Sequence, residues 1–189
     1  MSREIKYWQK TGLAVGTSVY LRYLDLFGLT ADSFAGKTVC DFGCGPLAGM
    51  LSVLTGVGRG LPVDVLAHTY NEWGKTPIPI IWVDPYDCRT SLLHGTCDAI
   101  FCLNVLDHTP VPYAMQVEMA RIAKPGAKVY LHCHIRQKTK AHYPLSDRRV
   151  KQIFSEPTWR AGWWKVAKDD INDQPSLMAI AAVLERGTT

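Results

Sequence analysis

Short apolar runs of strand character alternate along this chain with segments whose apolar residues recur at helical spacing. Runs bounded by glycine, proline or asparagine predict strands, and apolar positions every three or four residues predict helices. The predicted strands are 37–42, 61–66, 78–83, 97–103, 128–135, 163–168 and 177–184. The predicted helices are 3–12, 16–28, 47–55, 67–73, 110–123 and 146–154.

This alternation predicts an α/β fold, with an open, mostly parallel sheet as the middle of three layers and helices on both faces. The last two strands would form a hairpin around residues 173–176. Ligands of such sheets bind at the carboxyl ends of the strands, near the point where the strand order reverses. We expect one domain over residues 1–189, with 1–35 as a helical lid and 36–189 as the core.

A glycine-rich turn follows the first predicted strand and is the first candidate for a ligand site. Gly43 and Gly45 allow a sharp exit from the strand and a close approach to a ligand, and Pro46 suits the start of a helix. With Ala48 and the later Asp64, these glycines also match the dinucleotide fingerprint, which would indicate NAD.

Asp41 opposes a dinucleotide, because its carboxylate would face the negative pyrophosphate. A cationic ligand would suit that carboxylate. S-adenosylmethionine carries a sulfonium and an ammonium group, and its ribose hydroxyls could donate to Asp64. The alternative for Asp41 is a structural one, in which it caps the next helix.

Several motifs in order resemble the class I S-adenosylmethionine-dependent methyltransferases. They are the Asp-x-Gly-x-Gly segment from Asp41 to Gly45, the acid Asp64 ending the next strand, the segment 104–108 and the Lys-Pro-Gly turn at 124–126. The resemblance extends from about residue 37 to the C-terminus. It implies a Rossmann-like sheet of seven strands, the last one antiparallel, and methyl transfer to a small molecule with formation of S-adenosylhomocysteine.

The resemblance also assigns cofactor contacts to matching positions of this chain. The implied set comprises Asp41, Gly43, Cys44, Gly45, Asp64, Val65, Asp84, Pro85, Asn104 and Val105, with Tyr7 and Trp8 as part of the lid. Asp87 fits the adenine contact nearly as well as Asp84, and an ordinary surface turn fits there equally well. Leu47 departs from the family, many members of which have a third glycine at that position.

The chemistry of the acceptor is expected at the end of the fourth predicted strand. His108 is the candidate base for an oxygen or nitrogen nucleophile, and Asp107 would orient it. Alternatively, the two side chains cap the following helix. His132 and His134, which share a face of the fifth strand, could bind a metal with His142 or His108, but we expect no metal and favour substrate contact.

Composition and charge indicate which kinds of substrate and partner the chain can bind. The basic residues between Arg136 and Lys151 would suit an anionic group on the substrate, whereas a net charge of +4 with few interleaved aromatics does not favour nucleic acid. The charged N-terminus and the absence of a long apolar run predict a cytoplasmic protein without a membrane span. Six cysteines without a Cys-x-x-Cys pair predict buried, reduced thiols.

Two other functions fit parts of the sequence. One is a non-catalytic module that keeps the fold and binds the cofactor or a partner. The other is an NAD-dependent oxidoreductase, which the glycine fingerprint favours and Asp41 opposes. The sequence does not indicate the oligomeric state or the acceptor atom.

Overall fold

A computed structural model describes residues 3–10, 16–135, 142–155, 157–172 and 174–187. The strands are β1 Thr38–Phe42, β2 Arg59–Asp64, β3 Ile81–Trp82, β4 Cys97–Leu103, β5 Ala123–Ile135, β6 Trp159–Asp169 and β7 Gln174–Arg186. The helices are α1 Arg3–Lys10, α2 Thr17–Phe27, α3 Gly49–Val53, α4 Ala67–Trp73, α5 Pro112–Ile122 and α6 Asp147–Ile153. A 3-10 turn, Leu106–His108, follows β4.

The seven strands form one sheet in the order β3-β2-β1-β4-β5-β7-β6. The first five strands are parallel to one another, whereas β7 is antiparallel to both β5 and β6. This confirms the predicted α/β class, a mostly parallel seven-stranded Rossmann-like sheet. The strand order reverses between β1 and β4, so the carboxyl ends of these two strands border the expected ligand site.

Helices pack on both faces of the sheet, which gives the three layers. Consecutive residues of β4 point to opposite faces of the sheet. Ile100 belongs to the apolar cluster under α5 and α6, and Phe101 to the cluster under α2 and α3. Both side chains are completely buried. Burial of a side chain of this size contributes about 1.5–3 kcal/mol, so the two clusters fix the sheet that supports the site.

Most boundaries agree with the sequence prediction, and β3 is the clearest exception. It has two residues instead of the six predicted over 78–83. The backbone N–H and C=O of Ile80 bond to the side chain of Asn71 in α4, at 2.7 and 2.8 Å, so Ile80 is held by the helix instead of by β2. Helix α3 begins at Gly49, later than predicted, because Ala48 is still left-handed (φ 46°).

In the described part of the chain, the helices fall short of the length and apolar character needed to cross a bilayer. All six cysteines are buried. The expectation that residues 1–189 form one domain stays a prediction.

Candidate functional site

The carboxyl ends of β1, β2 and β4 bring the glycine-rich turn, Asp64 and Asn104 to one edge of the sheet. The turn is attached to β2, because the backbone N–H groups of Gly43 and Cys44 both donate to the carbonyl oxygen of Val63, at 2.7 and 3.1 Å. The backbone at this edge has positive φ angles, +79° at Gly43 and +57° at Asn104. The backbone thus turns sharply at this edge.

Asp41 is buried in the floor of the turn. Its Oδ2 accepts a hydrogen bond from the backbone N–H of Met50 at 3.1 Å, so it caps the start of α3. Burial raises the pKa of Asp41 to about 7, against the lowering effect of the N–H groups of Met50 and Leu51, and the charge of Asp64 raises it further. The capping role and a ligand-binding role are therefore compatible, since a cationic ligand would stabilise the ionised form of this buried carboxyl.

Asp64 lies beside it at the end of β2. Its Oδ2 accepts from the backbone N–H of Gly45 at 3.0 Å, and its Oδ1 from that of Leu66 at 2.9 Å. Burial raises the pKa of Asp64 to about 6, although both hydrogen bonds favour the ionised form. Val65, the next residue, is exposed. Two neighbouring buried carboxyls with raised pKa values suit a ligand that brings cationic and hydroxyl groups.

The chain's own side chains lie against both glycines of the turn. A Cβ placed on Gly43 would come within 2.2 Å of the Val105 side chain, and one on Gly45 within 3.2 Å of the Trp8 indole. Trp8 is anchored in α1, where its Nε1 donates to Glu4 at 3.0 Å, and it meets the exposed Tyr7 edge to face. The structure thus places Trp8 over the turn, where the sequence puts a lid.

Cys44 and Tyr20 complete the surroundings of Asp41. Cys44 is buried, its Sγ donates to the carbonyl oxygen of Gly45 at 3.2 Å, and burial raises the pKa of its thiol. Tyr20 covers the start of α3, because a Cβ on Gly49 would overlap its ring. Burial, and next the charge of Asp41, raise the pKa of the Tyr20 phenol. The phenol is therefore a neutral neighbour of the carboxylate.

Asp84 and Pro85 follow β3, where the adenine contact was expected. Asp84 is partly engaged by its own turn: its Oδ1 accepts from the N–H of Tyr86 at 2.7 Å. A depression of about 460 Å³ beside it is lined by Trp82, Asp84, Asp87, Arg89, Thr90 and Ser91. The structure thus keeps Asp84 and Asp87 together at one depression, and both assignments stay predictions.

A buried polar network occupies the ends of β4 and β5, and several of its members were not predicted from the sequence. Asn104 Nδ2 donates to the Tyr23 hydroxyl at 3.0 Å, and Asn104 Oδ1 lies 2.7 Å from His132 Nδ1. The Tyr23 hydroxyl also bonds to the side chain of Asn172. Asn104 is thereby held by α2, β5 and the β6–β7 connection, which explains how its strained backbone persists.

Asp169 is the acidic centre of this network. Its Oδ2 lies 2.6 Å from His134 Nε2, its Oδ1 3.6 Å from His132 Nε2, and Asn172 Nδ2 donates to it at 2.9 Å. Burial would raise the pKa of Asp169, but the hydrogen bonds from His134 and Asn172 and the nearby His132 hold it well below its usual range. Burial lowers the pKa of His132 to about 4. Both strand histidines are thus buried and engaged by Asp169.

The 3-10 turn after β4 carries the candidate catalytic pair. Asp107 is fully buried, and His108 is exposed. His142 lies beside this pair. Its ring meets that of His108 edge to face, with 4.5 Å between the ring centroids. His134 Nδ1 lies 3.8 Å from Asp107 Oδ2, so the pair touches the Asp169 network. The sequence left open that His108 or His142 could join His132 and His134 at a metal, although no metal was expected, and the structure instead groups His108 and His142 with Asp107.

The basic segment is only partly within the described residues, since Arg136, Lys138 and Lys140 lie outside them. Lys151 forms an ion pair with Asp147 at 2.8 Å, and Ser146 caps α6 by accepting from the N–H of Arg149. Lys151 and Ser146 are thus engaged in contacts within α6 itself.

The chain is similar in sequence to curated methyltransferases and in fold to solved ones. No family model matches the sequence. The chain is 33% identical over 109 residues to the ubiquinone biosynthesis O-methyltransferase of Dechloromonas aromatica (strain RCB), a match that covers 53% of this chain and 46% of that protein. The chain spans about half the length of the curated relatives it matches.

Solved structures share the fold at low sequence identity. A SAM-dependent methyltransferase from Aquifex aeolicus superposes with a TM-score of 0.60 at 20% identity, covering 87% of this chain and 88% of that one. The 1,6-didemethyltoxoflavin-N1-methyltransferase of Burkholderia thailandensis, solved with S-adenosylhomocysteine, gives a TM-score of 0.63 at 10% identity over 95% and 82% of the two chains. The ordered motifs, the curated matches over about half of the chain and the shared fold make the chain similar to the class I, Rossmann-like S-adenosylmethionine-dependent methyltransferases.

Proposed function

We propose that the chain binds S-adenosylmethionine at the β1–β2 edge and transfers its methyl group to a hydroxyl of a small molecule, leaving S-adenosylhomocysteine. The observation that carries this proposal is the pair of buried carboxyls, Asp41 and Asp64, on either side of the glycine-rich turn, with pKa values raised to about 7 and 6. The O-methyltransferases among the curated relatives support a hydroxyl as the acceptor.

The donor set of the turn suits this cofactor better than a dinucleotide. Two carboxylates in a buried edge would attract the ammonium and sulfonium groups and accept from ribose hydroxyls, whereas a pyrophosphate would meet like charge. Asp41 would hold the methionine end and Asp64 the ribose, while Gly43 and Gly45 would let the protein backbone approach the methionine part once the side chains of Trp8 and Val105 move aside. When bound, the cofactor supplies an activated methyl group.

The residues at the end of β4 would prepare the acceptor. Asn104, fixed by its network, would border the methionine end, and Val105 would border the turn. The exposed imidazole of His108 would take the proton of the acceptor hydroxyl and pass it to solvent, with the buried Asp107 beside it. Alignment of the two reactants does the remaining work, since the methyl group is already activated.

Methyl transfer is tested by mass spectrometry of S-adenosylhomocysteine formed from S-adenosylmethionine with a set of hydroxylated aromatic acceptors, some carrying a carboxylate or phosphate. We expect acceptor-dependent product with the native protein and a loss of about 10²–10⁴-fold in kcat for His108→Ala. His94→Ala, an exposed histidine at the opposite edge of the sheet, is the matched control and should retain full activity. Product formation that His108→Ala leaves unchanged would remove the base from the proposal.

A second candidate is a non-catalytic module that binds the cofactor. The close contacts of Val105 with Gly43 and of Trp8 with Gly45 favour it, because both side chains stand where a ligand would approach. Cofactor binding without turnover on every acceptor would support this candidate. A small-molecule partner, an anionic group on it and a cytoplasmic location stay predictions.

A further inference from the structure

A buried carboxylate and two imidazoles come together beside the proposed acceptor position. Asp107, His108 and His142 each offer one ligand atom, and the three atoms lie within 4.8 Å of one another. Asp107 is fully buried, His142 is partly buried and His108 is exposed. The cluster therefore has a closed floor and an open side, the form of a site that a small ligand can enter.

The main chain holds the cluster together. Asp107 and His108 lie on the 3-10 turn, in which the N–H of His108 donates to the carbonyl oxygen of Val105 at 2.9 Å. From the other part of the chain, the N–H of Tyr143 donates to the carbonyl oxygen of Asp107 at 2.7 Å. This bond fixes His142 against the turn, so backbone contacts position all three side chains.

A second layer of side chains orients Asp107. His134 Nδ1 lies 3.8 Å from Asp107 Oδ2, and the opposite nitrogen of the same ring lies 2.6 Å from Asp169 Oδ2. Outer carboxylates and imidazoles of this kind fix the direction of ligating groups in metal sites. The series Asp107, His134, Asp169 is buried throughout, so it is a rigid support.

We propose that Asp107, His108 and His142 bind a divalent transition-metal ion of the zinc type. Two imidazole nitrogens and a carboxylate oxygen are typical ligands of catalytic zinc, which keeps a fourth position open. Ligand atoms about 2.0–2.2 Å from such an ion are about 3.3–3.6 Å apart. The three atoms lie within 4.8 Å of one another, and His108 and His142 are the two ligands that are not fully buried, so these two side chains would move to bind the ion.

The role of the ion rests on the proposed function, although its binding does not. Asp107 follows Asn104 by three residues, so an ion held by Asp107 would lie near the proposed acceptor position. Coordination lowers the pKa of a bound oxygen, which allows it to lose its proton to solvent near neutral pH. His108 is then a ligand, and the ion replaces its action as a base. The same acceptor oxygen attacks the methyl group in either case.

Zinc binding is measured on the chelator-treated protein by calorimetry, with Mg²⁺ as the comparison ion and elemental analysis for stoichiometry. We expect one Zn²⁺ per chain, with Mg²⁺ binding much more weakly because imidazole is a poor ligand for it. His142→Ala and Asp107→Asn should each weaken Zn²⁺ binding by at least ~10–100-fold. The matched control His94→Ala should bind as the native protein does.

Cobalt spectroscopy separates this site from the six buried cysteines. Co²⁺ in the proposed site should give weak visible bands that His142→Ala removes, without a thiolate charge-transfer band. A thiolate band, or Zn²⁺ affinity unchanged in His142→Ala, would overturn the proposal, and this variant leaves Asp107 in place in case Asp107→Asn fails to fold. Zn²⁺ binding without S-adenosylmethionine binding would sustain the site and contradict the proposed function, whereas turnover without Zn²⁺ binding would do the opposite.

Discussion

The two halves of the site edge are built in different ways. At the ends of β1 and β2, carboxylates accept from backbone N–H groups that lie near in sequence: Asp41 from a residue nine positions on, and Asp64 from residues nineteen and two positions away. At the ends of β4 and β5, side chains bond to side chains across 35, 109 and 149 positions. We call these halves the cofactor side and the acceptor side.

Their charges differ as well. On the cofactor side, burial raises the pKa values of Asp41 and Asp64, so an added cation would stabilise both carboxylates. On the acceptor side, His134 and Asn172 hold the pKa of Asp169 well below its usual range, because the network supplies its own hydrogen bonds. In the proposed function a ligand completes the cofactor side, whereas the hydrogen bonds of the fold already satisfy most of the acceptor side.

The largest expected effect comes from removing the centre of the acceptor side. Asp169→Ala would leave His134, Asn172 and two backbone N–H groups buried without their acceptor, at a cost of about 3–5 kcal/mol in the free energy of unfolding. Urea denaturation measures this cost. Asp170→Ala, a change at the exposed neighbour, is the control and should cost less than about 0.5 kcal/mol. Equal effects of the two changes would show that the network is not a stabilising unit.

A smaller effect is expected from a methyl group on the turn of the cofactor side. Gly43→Ala combines a left-handed backbone with a clash against Val105, so we expect a loss of about 2–4 kcal/mol. Gly95→Ala has the same backbone strain, with a φ of +62°, and nothing within 4 Å of the new Cβ, so about 1 kcal/mol is expected.

The double variant Gly43→Ala with Val105→Ala isolates the contact between the two side chains. Removing the Val105 methyl groups should recover the part of the loss that exceeds the Gly95→Ala value, measured as the coupling in a double-mutant cycle. A coupling close to zero would mean that Val105 does not close the turn against Gly43.

The difference between the halves also explains what the sequence could predict. The cofactor side depends on local signals, namely an apolar strand, glycines and an acid at the next strand end, and the structure places Asp41, Gly45 and Asp64 together. Helix α4 and strand β4 begin and end where the periodicity predicts, because their apolar patterns are bounded by clear turn residues.

The acceptor side was only partly predictable. The spacing of His132 and His134 put both on one face, but Asp169, Asn172 and Tyr23 come from distant elements with no motif of their own. The shortness of β3 depends on one side chain, Asn71, which competes for the backbone of Ile80. Contacts of this kind appear only when the elements are packed.

The cofactor side has a pH dependence whose sign can be worked out. Both carboxyls have folded-state pKa values, about 7 and 6, above their value of 3.8 in the unfolded chain. The folded state therefore binds more protons between about pH 4 and 7, and the stability of the ligand-free protein falls as pH rises through that window. A cationic ligand prefers the ionised carboxylates, so its affinity should rise over the upper part of the same range.

Calorimetric titration with S-adenosylmethionine at about pH 5.5 and pH 8 tests the central claim most directly, with NAD as the competing ligand and Asp41→Asn as the variant. We predict stoichiometric binding that is about tenfold or more tighter at the higher pH and ~10–100-fold weaker in Asp41→Asn, whereas the exposed Asp25→Asn changes nothing. Binding of NAD alone, or S-adenosylmethionine affinity that neither pH nor Asp41→Asn alters, would contradict the account.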